Sequence, residues 1–247
     1  MAVKNYKMII SYDGTRYFGW EHQPNRETVQ GKLESVIGRM VEKEVEVLGA
    51  GRTDAGVHAQ GMCAHVLLDT ELSPDEIRDY CNRYLPDDIA VVRLTEASPR
   101  FHARYNATGK TYRYTIYNGK TKPVFDRKYV WTIEEELSVE RMQQAAGYLQ
   151  GRHDFAAFCK AAGKNKSTER NVDRIDIRRK GEYLILTFHG DGFLRNMVRI
   201  LTGTLVAVGR GEIEPETVKT YLAEGDRRAV PATAPAQGLC LIEVDYD

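Results

Sequence analysis

The hydrophobic period of this chain switches again and again between two residues and three-to-four, and no other feature so narrows the folds open to it. Met8, Ile10 and Tyr12 alternate with polar neighbours before Asp13-Gly14, which predicts a strand ending in a turn. Val29, Leu33, Val36, Ile37, Met40 and Val41 then recur at helical spacing behind Thr28, a good N-cap. Val45 to Ala50 reads as a strand, Gly51 to Gly61 as a glycine-punctuated loop, and Met62 to Leu68 as the returning strand. Ser73-Pro74-Asp75-Glu76 is a capping box with proline at the first helical position, leading a helix that Pro86 stops.

Further strands are predicted at Ile89 to Leu94 and Thr111 to Tyr117, where Tyr112, Tyr114 and Ile116 share one face. Ser138 opens a helix through Leu149, and Gly163 to Ser167 reads as a basic loop. Strands at Val172 to Arg178 and Tyr183 to His189, an apolar helix from Phe193 to Val208, a helix from Pro215 to Leu222 and a strand from Leu239 to Val244 complete the chain. Strands and helices mix without βαβ alternation, which predicts an α+β fold rather than a doubly wound one. No short repeat and no long polar linker is visible.

A chain of 247 residues and 28.0 kDa needs no staple to hold its core, since folding at this size buries roughly 73% of the unfolded surface. The 42% hydrophobic and 28% charged content excludes collagen-like and largely disordered chains. Cys63, Cys81, Cys159 and Cys240 form no CxxC pair and have no histidine at zinc-ligand spacing, so they read as isolated thiols. No run approaches the ~18 apolar residues of a membrane span, and Met1-Ala2-Val3-Lys4 leads into alternation rather than a signal-peptide core. A cytoplasmic location without membrane attachment is the expectation.

Thirty-five basic residues balance thirty-five acidic ones, but the charge is segregated. Arg100 to Lys128 holds eight Lys/Arg against Asp126 alone, and Lys160 to Lys180 eight against three acids. A neutral protein so arranged can present a positive face to a polyanion, although solvated surface explains charge runs equally well.

The most singular stretch is Ala50-Gly51-Arg52-Thr53-Asp54-Ala55-Gly56-Val57-His58-Ala59. One reading puts Asp54 at the rim of a cleft, with glycines permitting close approach of a ligand. The other makes it a hairpin connection in which Asp54 caps its own turn. The stretch does not stand alone. Tyr12-Asp13-Gly14-Thr15, Phe18-Gly19-Trp20, Thr28-Val29-Gln30-Gly31, Arg100-Phe101-His102-Ala103-Arg104, Lys110-Thr111-Tyr112-Arg113-Tyr114 and Gly192-Phe193-Leu194-Arg195-Asn196-Met197-Val198-Arg199 accompany it. Taken in order over about Tyr6 to Tyr246, these motifs resemble the tRNA pseudouridine synthase A family. Glu21 departs from the pattern, which has Gln after the Gly-Trp pair.

The resemblance implies two similar α+β halves with mostly antiparallel sheets meeting at a central catalytic cleft, here 1–105 carrying the Asp54 loop and 106–247 completing the cleft. It implies conversion of uridine to pseudouridine in the anticodon arm of tRNA, 3′ of the anticodon, by a homodimer. It assigns Asp54 as the catalytic carboxylate, Tyr112 as the residue that stacks on the base, and Arg199 as the partner that keeps Asp54 ionised. Arg52, Tyr114, Arg195, Lys164 and Lys166 are expected to bind substrate. An isomerisation consumes no electrons and no external group, so no cofactor or metal is expected. Two rivals stay open: a catalytically silent tRNA-binding module, and a metal-dependent hydrolase built on Asp54, His58 and His65.

Overall fold

The computed structural model describes residues 3–160 and 167–247. In chain order the elements are β1 (Lys4–Tyr12), α1 (Val29–Val41), β2 (Leu48–Gly49), β3 (His58–Leu68), α2 (Pro74–Tyr84), β4 (Ile89–Ala97), β5 (Ala107–Tyr117), β6 (Trp131–Thr132), α3 (Val139–Leu149), β7 (Gly151–Asp154), β8 (Glu169–Val172), β9 (Arg174–Lys180), β10 (Tyr183–Gly190), α4 (Met197–Gly209), α5 (Thr217–Glu224) and β11 (Leu239–Tyr246). The chain divides into one unit of 1–108 with 240–247 and another of 109–239.

In the first unit the sheet order is β4-β1-β3-β11. β1 is antiparallel to β3 (Ile9 opposite Cys63) and to β4 (Met8 opposite Leu94). Its alternate residues Tyr6, Met8 and Ile10 are buried to 1% exposure or less and pack in the same core that takes Leu33 and Ile37 of α1 and Ile77 of α2. Both helices start on side-chain caps: Thr28 Oγ1 accepts from Gly31 N–H, and Ser73 and Glu76 form a reciprocal capping box. The C-terminal strand runs parallel to β3, with Cys240 opposite His58. Against the expected halves of 1–105 and 106–247, β11 joins this sheet and the final eight residues group with the first unit.

The second unit is built on β5-β10-β9, antiparallel throughout, with β6 parallel to the far end of β5. β7 and β8 form a separate two-stranded ribbon. The predicted strand from Val172 to Arg178 is therefore two strands, broken at Asp173, because β8 pairs with β7 while β9 pairs with β10. The apolar helix starts later than expected, at Met197, since Asn196 stands in the left-handed region at φ +61° and breaks the helical path from Phe193. Similarly, the strand expected over Val45 to Ala50 shrinks to Leu48–Gly49.

Candidate active site

Asp54 lies on the link between β2 and β3, and two parts of the preceding chain fix that link's backbone. Val57 N–H donates to Asp54 O (3.1 Å), with Gly56 at φ +78°, the sign that the third residue of a type II turn requires. Trp20 N–H donates to Thr53 O (3.1 Å), while Gly56 N–H donates to Tyr17 O (3.3 Å). Tyr12 Oη and Thr53 Oγ1 share a buried hydrogen bond of 2.8 Å. Two glycines make this approach possible. A Cβ on Gly14 would meet Val57 O at 2.0 Å, and one on Gly19, already at φ +92°, would meet Thr53 O at 2.6 Å. Asp54 is half-buried, so the carboxylate is neither sealed in the core nor loose on the surface.

The neighbours of this loop divide into supports and displayed groups. Trp20 is 2% exposed, its indole where a Gly49 side chain would otherwise sit, and its role is packing. Phe18 is exposed, with the Arg26 guanidinium 4.7 Å over its ring. His58 is buried, and Gly14 N–H donates to its Nδ1 (3.1 Å). Asp13 Oδ1 lies 3.1 Å from the same nitrogen. Nδ1 therefore faces an amide donor and a carboxylate acceptor, both supplied by the turn that follows β1. The Asp13 carboxylate is held by Thr15 N–H (2.9 Å) and by the Thr15 hydroxyl. His58 is thus a structural histidine, and so is His65, whose Nδ1 accepts from Ala103 N–H and whose burial lowers its pKa.

Arg52, with two-thirds of its side chain exposed, forms an ion pair with Glu21. Thirty-one residues separate the two, and no local pattern could have announced the pair. A supporting cluster lies just behind: Arg16 and Tyr17 both bond Asp88, with Tyr17 Oη donating to Asp88 Oδ1 at 2.5 Å. Burial pushes the Asp88 carboxyl up, the Arg16 and Tyr17 hydrogen bonds pull it down, and the net shift is downward.

The other expected site residues belong to the second unit. Tyr112 on β5 is 9% exposed, and its ring meets Phe193 edge-on at 5.3 Å. Tyr114, two residues on and expected to bind substrate, lies in the core. It is fully buried, its hydroxyl donates to Pro235 O (2.7 Å), and Gly238 packs against its ring. Burial raises its pKa, and the charge of Arg199 works against that rise. Arg195 is exposed on the turn before α4. Lys164 and Lys166 lie outside the described residues.

Arg199 is the most informative of these. Twelve of the thirteen residues of α4 are buried, and Arg199 is the exception. It sits in the first turn, where a cation meets the positive end of the helix dipole. Its Nε donates to Ala234 O (2.8 Å), while Ala234 N–H donates back to the Arg199 carbonyl (3.0 Å). The helix dipole disfavours a guanidinium there, and the Ala234 hydrogen bond holds it in place.

Asp54 is thus a half-buried carboxylate whose loop is held by main-chain hydrogen bonds on both flanks. Among the described residues no three His, Cys, Asp or Glu side chains converge as a metal site, so Asp54, His58 and His65 do not form one. The family model described as "tRNA pseudouridine synthase" matches residues 8–106 and 145–247. The chain is 41% identical to tRNA pseudouridine synthase A 2 of Clostridium perfringens, 44% to tRNA pseudouridine synthase A of Pelobacter propionicus and 45% to that of a Bacillus species. Each alignment covers 99% of this chain and all of the relative. The chain belongs to the tRNA pseudouridine synthase family.

Proposed function

We propose that this chain isomerises uridine to pseudouridine in the anticodon stem-loop of tRNA, 3′ of the anticodon, with Asp54 as the catalytic carboxylate. The observation that carries the reading is the backbone clamp on Thr53 and Gly56, which holds a half-buried Asp54 in one place. Fixed geometry is what a reaction on one atom of a bound substrate requires.

The N1–C1′ bond breaks with its electron pair leaving on uracil. Asp54 either bonds to C1′ or takes the C2′ proton to give a glycal. The base then turns and C5 bonds to C1′ as the Asp54–C1′ bond breaks or, on the glycal route, as C2′ takes its proton back; the C5 proton departs and N1 regains one, so the atoms of product and substrate are the same. Glycoside hydrolysis commonly needs a second, protonated carboxyl to assist the leaving group. Uracil leaves as a delocalised anion, and one ionised carboxylate suffices.

Tyr112 stacks on the base and its hydroxyl serves the late proton transfer. Arg199 is the third member of the proposed catalytic set. Taking the target nucleotide out of its stack costs about a few kcal/mol, and Arg52 fills the space it leaves. Arg195, Lys164 and Lys166 bind backbone phosphates, which are recognised without regard to sequence. The enzyme acts in the cytoplasm as a homodimer; sedimentation of the purified chain tests the assembly.

Purified protein is incubated with tRNA carrying tritium at uridine C5, with no metal or cofactor added. Expected is tritium release, with the modified positions mapping to the anticodon arm. Binding without release would establish the silent RNA-binding module instead, and loss of activity in EDTA would favour the metal-dependent rival.

A further inference from the structure

The connection between β5 and β6, residues 118–130, lies within 107–144, the stretch that the family model leaves unmatched. Phe125 on it is 92% exposed, more than any other large hydrophobic residue described, and Val124 beside it is 60% exposed. Lys120, Lys122, Arg127 and Lys128 flank it in the sequence and are all exposed. The lone acid of the segment, Asp126, accepts a hydrogen bond of 2.6 Å from Tyr183 Oη.

Nor is this a slack loop that happens to show a phenyl ring. Tyr129 N–H donates to Asp126 O (2.7 Å), Arg127 Nη1 donates to Val124 O, and Gln237 Nε2 donates to Val130 O (3.0 Å). The backbone on both sides of Phe125 is tied down, so displaying the ring needs no further ordering on binding.

We propose that this loop is a second RNA contact of the enzyme: Phe125 stacks on an unpaired base while the four cations hold the adjoining phosphates. The inference rests on the tRNA reading above. Aromatic rings interleaved with cations are how proteins hold single-stranded nucleic acid, because every base has a face to stack and every nucleotide carries a negative charge. Charge decides against a second copy of the chain as occupant. Placed on a twofold axis, the patch would set its four cations against four more. The exposed large hydrophobics of the segment are three, Val124, Phe125 and Tyr129, against the roughly 20–30 residues a side of a standard interface.

The test compares tRNA binding and pseudouridine formation by the full chain and by Phe125→Ala, Phe125→Trp and Lys120→Gln/Lys122→Gln variants. Expected for Phe125→Ala is about tenfold weaker tRNA binding, seen as raised KM with unchanged kcat and unchanged thermal unfolding. Phe125→Trp should retain affinity, and its added indole fluorescence should be quenched on tRNA binding. The double lysine variant should lower the slope of log Kd against log salt by about 1.4, or about 0.7 per lost charge. Wild-type turnover together with undiminished binding by Phe125→Ala would overturn the inference and leave the activity standing. So would conversion of a dimer to a monomer by Phe125→Ala, which would make the loop a protein interface. A wild-type chain that neither binds nor modifies tRNA would overturn the functional reading and this contact with it.

Discussion

Residues 51–57 and 118–130 are both irregular connections on the surface, yet they are held in opposite ways. Main-chain hydrogen bonds fasten the first to the 12–20 segment, at an approach only glycine permits, with Asp54 half-buried at its centre. Mostly side chains, those of Tyr183, Arg127 and Gln237, fasten the second, and it leaves Phe125 in solvent. Main-chain clamps fix a position to within the tolerance bond-breaking demands, while side-chain ties suffice to present charge and a stacking face. On the readings proposed above, one loop serves chemistry and the other recognition.

Gly19→Ala attacks the clamp itself and should have the largest effect on it. It forces a side chain into the left-handed region at φ +92° and against Thr53 O. Expected is a loss of about 1–3 kcal/mol of stability in denaturant unfolding, together with reduced kcat. An unchanged kcat would mean that the main-chain contact does not position Asp54.

Arg52 and Glu21 sharpen the comparison, because the proposed role of Arg52 puts a recognition element on the Asp54 loop. Arg52→Ala should lower kcat/KM by about tenfold or more. Glu21→Gln should act in the opposite direction, tightening tRNA binding up to about fivefold, since an exposed ion pair holds Arg52 by only about 0–1 kcal/mol. In the Arg52→Ala background the gain from Glu21→Gln should shrink to the effect of removing one negative charge, a comparison a double-mutant cycle reads directly.

Asp88→Asn should have the smallest effect and depends on pH. The folded carboxyl titrates below its ordinary value, so the stability it adds is present above about pH 4 and is lost as pH falls through the folded pKa. The stability difference between wild type and Asp88→Asn should therefore be constant near neutrality and close progressively in acid. A difference that persists at pH 2 would assign the loss to packing rather than charge.

Much of the fold is legible in the sequence because local chemistry sets it. The Thr28, Ser73 and Ser138 caps start their helices as read, and the alternation of Tyr112, Tyr114 and Ile116 gives the buried face of β5. Less legible is whatever depends on partners distant in the chain. Nothing near Asp173 announces that β8 and β9 pair with different strands, and nothing near Cys240 shows that the last strand lies beside β3. The same divide runs through the site residues. Asp54 and the glycines around it are marked by an unusual local pattern, but alternation alone cannot separate Tyr112 from Tyr114. Only the contact with Pro235 and Gly238 shows that Tyr114 is wholly committed to the core. Arg199 carries a local signal that was available, a lone cation in a thirteen-residue apolar helix.

The most direct measurement is tritium release from C5-labelled tRNA by wild-type protein and by Asp54→Asn, with tRNA binding and thermal unfolding followed in parallel. Expected is a folded, tRNA-binding Asp54→Asn protein that makes no pseudouridine. Appreciable turnover by that variant would contradict the assignment of Asp54 as the carboxylate on which the reaction depends.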